Sequence, residues 1–309
     1  VFVETEGRIR RWEKSFESRE QLLELIRQIV SRVNRTVNTA SPIVDARLED
    51  GSRVHVVLEP VALNGPILTI RKFPDPITMD RLLEYGSVTR EAADLLKILA
   101  AARYNIFVSG GTGAGKTTFL NALSEFIPPE ERVITIEDSA ELKLAHIENL
   151  VRLETRNANG EGQGAIGIGM LIRAALRMRP DRIVIGEVRG QEAVDLLQAM
   201  NTGHDGSFCT GHANSCRDML ARLETMVLMG MELPLPAIRS QIASALDVMV
   251  HVARMRNRSR KVTAIEEVVG IENGEIVLRP LFSLDGEGEL RKAGDLRCQE
   301  KLRRAGYGL

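Results

Sequence analysis

The segment Gly110–Thr117 has residue types and a spacing that suit it to holding phosphate groups. It reads Gly-Gly-Thr-Gly-Ala-Gly-Lys-Thr and satisfies the pattern G-x-x-x-x-G-K-[ST]. Glycines let backbone N–H groups turn towards phosphate oxygens, and the N-terminus of a following helix adds positive charge. We expect Lys116 to reach the β- and γ-phosphates of ATP and the Thr117 hydroxyl to bind Mg²⁺. The predicted nucleotide-binding residues are Gly110, Gly111, Thr112, Gly113, Ala114, Gly115, Lys116, Thr117 and Thr118.

Two carboxylates follow apolar segments that are predicted to be strands. Glu187 comes after Arg182–Gly186, and Glu137 with Asp138 comes after Val133–Ile136. The carboxyl ends of parallel strands share one edge of a sheet, which places both acids beside the phosphate site. Hydrolysis needs an acid that orients water and holds the metal. We therefore expect Glu187 to position Mg²⁺ or water and Glu137 to have a catalytic role; the alternative for Glu187 is a surface acid at a strand end.

Two histidines bracket a short predicted strand at Ser207–Thr210. His204 and His212 both lie among small residues, which favours a place at the site over a purely structural role. Together with Cys209 and Cys216 they also fit a compact zinc set. Alternation along an extended strand, however, puts Cys209 and the flanking histidines on different faces. We therefore predict no zinc.

The elements that must position these residues are alternating strands and helices from Asn105 onwards. This alternation predicts an α/β domain with a mainly parallel sheet and helices on both faces. The predicted strands are Ile106–Val108, Arg132–Glu137, Arg182–Gly186 and Ser207–Thr210, and the predicted helices are Lys116–Phe126, Gln191–Met200, Ser215–Met229 and Pro236–Leu246.

The beginning of the chain has a different organisation. Residues 1–73 mix predicted strands with one amphipathic helix and are predicted to form a small α+β domain. Residues 74–89, with two prolines, are predicted to be a linker, and residues 90–309 to be the nucleotide-binding domain. Residues 157–169 are rich in glycine and predict a loop. Because the chain begins with Val1, we expect an upstream segment to be missing from this sequence.

Composition excludes several classes of protein. The chain has 41 basic and 42 acidic residues, a formal net charge of -1 and only 4% aromatic residues. This balance argues against a nucleic-acid-binding protein, which needs a basic surface and aromatic stacking platforms. No apolar run reaches the roughly 18–20 residues of a membrane span. Three scattered cysteines predict a reducing, cytoplasmic environment.

Taken together, these residues resemble the ATPase superfamily of type II and type IV secretion and type IV pili, and within it the CpaF-like ATPases of Flp/Tad pilus assembly. Four boxes occur in the family's order, and the likeness covers nearly the whole chain. They are the P-loop Gly110–Thr117, the acidic box Ile134–Asp138, the Walker B region Arg179–Gly190 and the histidine box Met200–Ser215, with further similarity in Asn64–Phe73.

The resemblance implies a PAS-like N-terminal domain, a RecA-like ATPase domain and a homo-hexameric ring. It further implies a cytoplasmic motor at the inner face of the cell membrane, working with pilus or secretion platform proteins. It favours a catalytic role for His212, and it favours Arg53 and Arg71 as arginines that reach the γ-phosphate across the domain cleft or from a neighbouring subunit.

Two departures from the family's pattern refine this expectation. Pilus-extension and type II secretion motors usually carry a four-cysteine zinc module, which three scattered cysteines cannot build. Gly211 stands where the family usually has a bulkier apolar residue, which predicts a looser backbone before His212. The alternatives are a conjugation or effector-secretion ATPase, a RecA-like nucleic-acid motor and a nucleotide sensor without turnover.

Overall fold

The chain divides into two compact units, Val1–Asp75 and Pro76–Leu309. The structure is a computed structural model, and it describes residues 1–5, 8–72, 76–156, 158 and 163–307. The predicted domain boundary at residue 73 and part of the glycine-rich segment 157–169 lie outside these residues.

The first unit combines a hairpin, one helix and a three-stranded antiparallel sheet. The hairpin pairs β1 with β2, and the sheet has the order β3-β4-β5. Helix α1 begins after Ser18, whose side chain accepts a hydrogen bond from the Gln21 N–H, as is common for a serine at the N-cap of a helix. Ile26 and Val30 of this helix pack with Val54 and Val56 in a small apolar core. The elements are β1 Phe2–Thr5, β2 Arg8–Arg11, α1 Arg19–Arg32, β3 Ile43–Arg47, β4 Arg53–Val57 and β5 Ile67–Arg71.

The second unit is built on one large mixed sheet. Its strand order is β14-β13-β12-β11-β6-β10-β9-β7-β8. The six strands from β11 to β8 run parallel, whereas β12, β13 and β14 pair antiparallel. The predicted α/β class with a mainly parallel sheet is therefore confirmed. The strands are β6 Ile106–Gly110, β7 Val133–Glu137, β8 Leu150–Glu154, β9 Arg182–Ile185, β10 Phe208–His212, β11 Val248–Arg254, β12 Arg260–Glu272, β13 Glu275–Leu284 and β14 Leu290–Lys292.

Helices cover both faces of this sheet and bury two apolar clusters. One cluster joins α3 and α4 to β6 and β11, and the other joins α5, α6, α7 and α8 to β7, β9 and β10. The helices are α2 Met79–Glu84, α3 Arg90–Ala101, α4 Lys116–Ser124, α5 Ile168–Ala175, α6 Ala193–Asn201, α7 Cys216–Gly230, α8 Leu235–Ala245 and α9 Glu300–Arg304, with a 3-10 turn at Leu176–Met178.

The interval 74–89, predicted as a linker, contains helix α2. Met79 and Leu82 of this helix are buried in the core of the second unit. The Met79 N–H also donates to Glu125 Oε2 at 2.9 Å, which ties the helix to α4. From Pro76 onwards these residues are therefore part of the second unit rather than a free connection.

Candidate active site

The P-loop connects the central strand β6 to helix α4, and its glycines are needed for different structural reasons. Gly113 and Gly115 have φ angles of 71° and 92°, a left-handed region that residues with a Cβ rarely adopt. A Cβ on Gly110 would lie 2.3 Å from the backbone oxygen of Val252. A Cβ on Gly111 or Gly113 would instead meet no atom within 4 Å. Close packing thus fixes the start of the loop at Gly110, whereas the space beside Gly111 and Gly113 is unfilled.

Lys116, the first residue of α4, extends its ammonium group along the inside of this loop. Its Nζ donates to the backbone oxygen of Gly111 at 3.2 Å and to His212 Nδ1 at 3.1 Å. The side chain is buried, and this burial lowers the pKa of Lys116 while the nearby Glu187 opposes the shift. The ammonium group is therefore bound by two neutral acceptors.

His212 joins the P-loop lysine to the carboxylate of Glu187. Because Nδ1 accepts from Lys116, the neutral ring carries its proton on Nε2, which lies 2.8 Å from Glu187 Oε1. Burial lowers the pKa of His212, which favours this neutral form. The ring sits at the end of β10, beside β6, where the register places His212 opposite Gly110.

Glu187 follows β9 and makes a second contact that links it to the acidic segment after β7. Arg189 donates to Glu187 Oε2 at 2.8 Å, and its other terminal nitrogen lies 3.2 Å from Asp138 Oδ2. The hydrogen bond from Arg189 to Glu187 raises the pKa of the arginine. Sequence reasoning missed Arg189, although its position two residues after a strand-end acid was an available signal.

Glu137 ends β7 and is almost completely buried, with 2% of its surface exposed. Its Oε1 accepts hydrogen bonds from the Glu141 and Leu142 N–H groups at 2.8 and 3.0 Å. Its Oε2 is buried and has no hydrogen-bond partner among the described residues. Burial raises the pKa of Glu137 to about 7, against the smaller opposing effect of the two backbone hydrogen bonds. A Cβ on Gly186 would lie 2.9 Å from Glu137 Cγ, so the carboxylate packs beside the strand that leads to Glu187.

The residues present fit a nucleotide with a divalent cation. The open, left-handed glycine turns, the N-terminus of α4 and the Lys116 ammonium suit a polyphosphate. The Thr117 hydroxyl and the Glu187 carboxylate are oxygen ligands of the kind that Mg²⁺ prefers. The buried, unpaired Oε2 of Glu137 is an acceptor for which the described protein offers no donor.

The other predicted residues have different surroundings. Arg53 and Arg71 lie in the first unit, directly opposite each other on β4 and β5. His204 Nδ1 is 3.2 Å from the backbone oxygen of Ala199 in α6, so this ring nitrogen has a polar partner five residues away in the chain. Cys209 is completely buried. Among the residues that the structure describes, no group of three or more histidine, cysteine or acidic side chains has the arrangement of a metal site.

The packing around Gly211 contradicts the expectation of a looser backbone at this position. A Cβ on Gly211 would lie 2.8 Å from Met219 Sδ and 3.0 Å from Phe107 Cε1. Met219 and Phe107 are both fully buried. The side chain of Met219 therefore fills the space that a larger residue at position 211 would occupy, and the backbone before His212 is tightly held.

Every helix in the described part of the chain is too short or too polar to span a bilayer.

The sequence is similar to proteins of bacterial secretion and conjugation. It is 41% identical to a Mycobacterium tuberculosis protein named for conjugal transfer, over 86% of this chain and 77% of that protein. It is 37% identical to the type IV secretion system protein PtlH of Bordetella pertussis, over 72% of this chain and 73% of PtlH.

Solved structures give the same picture. The VirB11 ATPase of the Brucella suis type IV secretion system matches with a TM-score of 0.51 and 30% identity, covering 86% of this chain and 88% of that one. The pilus retraction motor PilT shares the fold, with a TM-score of 0.59 at 19% identity over 99% of this chain and 80% of PilT. The family model for type II/IV secretion system proteins matches residues 1–280, and the chain therefore belongs to the type II/IV secretion system protein family.

Proposed function

We propose that this protein hydrolyses ATP to ADP and phosphate and uses the energy to drive a secretion or pilus machine. The observation that carries the proposal is the chain of contacts from the P-loop lysine through His212 to Glu187. Through the single ring of His212, it joins a phosphate-binding group to the acid expected to position metal or water. The VirB11 ATPase, at 30% identity, supports the same activity.

Binding of ATP would exchange the partners of Lys116. Phosphate oxygens carry negative charge, so they compete for the ammonium group with the neutral Gly111 oxygen and His212 ring. His212 would then be released from Lys116 while its Nε2 stays near Glu187. Bound Mg²⁺, held by Thr117 and Glu187, would neutralise charge on the phosphates. Glu137 is the candidate general base, because its raised pKa lies near neutral pH and its Oε2 is free to accept a proton from water.

Arginines of the first unit would complete the site. Arg53 and Arg71 face each other across β4 and β5, so their charges lie on the same side of that small sheet. A positive charge at the γ-phosphate stabilises the transition state of phosphoryl transfer. We propose that ATP draws these arginines to the P-loop of the same or a neighbouring subunit within a homo-hexameric ring, and that hydrolysis releases them.

Two machines are candidates for the work. The sequences of the Walker B and histidine boxes favour Flp/Tad pilus assembly by a CpaF-like motor at the inner face of the cell membrane. The relatives named for conjugal transfer and type IV secretion favour a secretion ATPase about equally. In both cases the partners would be membrane platform proteins.

Steady-state phosphate release, with and without Mg²⁺ and with and without single-stranded DNA, tests the activity. Turnover that needs Mg²⁺ and ignores DNA supports the proposal, whereas DNA-stimulated turnover favours a nucleic-acid motor. ATP binding without turnover, by the chain in its assembled state and with Mg²⁺ present, would identify a sensor. Prepilin or conjugation genes beside this one, followed by the phenotype of a deletion strain, would decide between the two machines.

A further inference from the structure

The turn between β11 and β12 carries an unusual concentration of positive charge. Its sequence from 254 to 260 reads Arg-Met-Arg-Asn-Arg-Ser-Arg, and all four arginines are exposed. The chain as a whole has a net charge of -1, so this hairpin is a strongly basic feature on a balanced background. Arg258 also has a φ of 69°, a left-handed conformation that arginine rarely adopts.

Two of these arginines, Arg254 and Arg260, are direct partners across the hairpin. Side chains at such positions point to the same face of a sheet with Cβ atoms about 4.5–5.5 Å apart, and like charges there are destabilising. Neither arginine has an acidic partner among the described residues. The repulsion is uncompensated within the described protein, and an anion between the two guanidinium groups would relieve it.

This pair lies beside the P-loop. Arg260 Nε donates to the backbone oxygen of Gly113 at 3.0 Å, and a Cβ on Gly115 would lie 3.0 Å from Arg260 Cδ. By strand alternation, Arg254 shares a face with Val252, which belongs to the same apolar cluster as Phe119 of α4. The arginine pair therefore sits on the face of the sheet that carries α4, next to the helix N-terminus that faces the phosphate site.

We propose that Arg254 and Arg260 bind the phosphate chain of the nucleotide in the P-loop, as an arginine clamp supplied by the C-terminal hairpin. The inference rests on the proposed function and deepens it by adding a second cationic element to the same site. Lys116 holds the phosphates from the inner side of the loop, where it contacts the Gly111 oxygen. The arginine clamp holds them from the Gly113 side.

A purely structural role for Arg260 would be to brace the P-loop through the Gly113 oxygen. Arg254 separates the two explanations, because it makes no hydrogen bond to the P-loop among the described residues and yet lies opposite Arg260 on the same face of the sheet. If Arg254 contacts the phosphates, removing its charge weakens nucleotide binding. Its removal cannot weaken binding by loosening the P-loop, because Arg254 does not brace that loop.

The experiment is calorimetric titration of the full chain with ADP, at two salt concentrations, beside unfolding by urea. Arg254→Met and Arg260→Met keep an unbranched apolar stem and remove the charge; Arg256→Met, in the same turn, is the matched control. We expect the first two substitutions each to weaken ADP binding at least about tenfold and to flatten its salt dependence. The control should stay within about twofold of wild type. Removal of the like-charge contact should leave unliganded Arg254→Met at least as stable as wild type.

Wild-type affinity in Arg254→Met would overturn the clamp, even with Arg260→Met weakened, because that pattern identifies a brace. Unchanged ADP binding combined with lost binding to vesicles of phosphatidylglycerol would overturn it in favour of a lipid surface. A wild-type chain that does not bind ADP at all would instead refute the proposed function.

Discussion

The ammonium group of Lys116 and Nδ1 of His212 lie 3.1 Å apart, although the two residues are 96 positions apart in the chain. His212 Nε2 is in turn 2.8 Å from Glu187 Oε1. One imidazole ring therefore touches both the phosphate-binding lysine and the acid on the neighbouring strand. Any ligand that draws Lys116 away from the ring changes the surroundings of Glu187 at the same time.

Lys116→Ala should abolish ATP hydrolysis and leave the fold intact. The side chain stabilises charge on the transferred phosphoryl group and contributes little to core packing. Phosphate release measures the first effect and thermal unfolding the second. Lys97→Ala, at an exposed position of α3, is the matched control and should keep wild-type turnover. A Lys116→Ala chain that melts far below wild type would show the residue to be structural instead.

Glu187→Gln should bind ADP nearly as well as wild type and lose about 10²-fold or more in turnover. The amide is almost isosteric with the carboxylate, but it cannot hold metal and water in the same way. Calorimetry and phosphate release separate binding from chemistry, with Glu232→Gln at an exposed site as control. Undiminished turnover in Glu187→Gln would remove Glu187 from the mechanism.

The raised pKa of Glu137 predicts a pH dependence of activity. As a base the carboxyl group must be ionised, so kcat/KM should fall as the pH drops through about 7, the pKa of Glu137. The measurement is the pH profile of ATP hydrolysis between pH 5.5 and 8.5, in roughly half-unit steps. Glu137→Gln should have low activity and no such limb. A wild-type profile that is flat across neutrality would contradict this role.

The same carboxyl group predicts a pH dependence of stability. Its pKa is about 7 in the folded chain and 4.5 ordinarily, so the folded state holds the proton more tightly. The free energy of unfolding should therefore fall as the pH rises from about 4.5 to about 7, because the charged form is buried. Urea denaturation at pH 5 and pH 8 measures this loss. The loss of unfolding free energy between pH 5 and pH 8 should be smaller in Glu137→Gln. An equal loss in both chains would mean that Glu137 is not its source.

Arg71→Ala should lower turnover at least about a hundredfold, within the range known for arginine fingers, and weaken ATP binding less. Arg27→Ala, on the exposed side of α1 in the same unit, is the control. If the arginine acts between subunits, mixing Arg71→Ala with Lys116→Ala chains should restore some activity, because a mixed ring can contain an intact composite site. A ring-forming Arg71→Ala chain with wild-type turnover would refute the role.

Gly211→Ala should destabilise the chain by about 1–3 kcal/mol, because the added methyl group meets the buried Met219 and Phe107 side chains. The comparison of single and double variants is decisive: in a Met219→Ala background the same substitution should cost much less. Gly167→Ala, where a Cβ meets nothing within 4 Å, is the control for thermal unfolding. A cost that is independent of Met219 would assign the effect to the backbone.

The sequence allowed the parts of the site that follow local rules to be predicted. Lys116 follows a glycine pattern whose geometry is set within eight residues, and Glu187 follows an apolar strand. The contact between Arg189 and Asp138 joins loops after two different strands, so no local spacing encodes it. Met219 likewise explains Gly211 only once α7 is packed on β10. The two prolines led residues 74–89 to be predicted as a linker, whereas burial of Met79 and Leu82 places the residues from Pro76 onwards in the second unit.

The position of β6 between β10 and β11 has a consequence for the order of folding. In the described part of the chain, the strand that carries the P-loop pairs with β10 and β11, which both come much later in the sequence; Ser109 Oγ, for example, donates to the Val250 oxygen 141 positions further on. During synthesis the P-loop therefore leaves the ribosome long before its supporting strands exist. Such non-local pairing is slow to form. Fragments that end before about residue 252 would carry the whole glycine motif and still lack a formed nucleotide cradle.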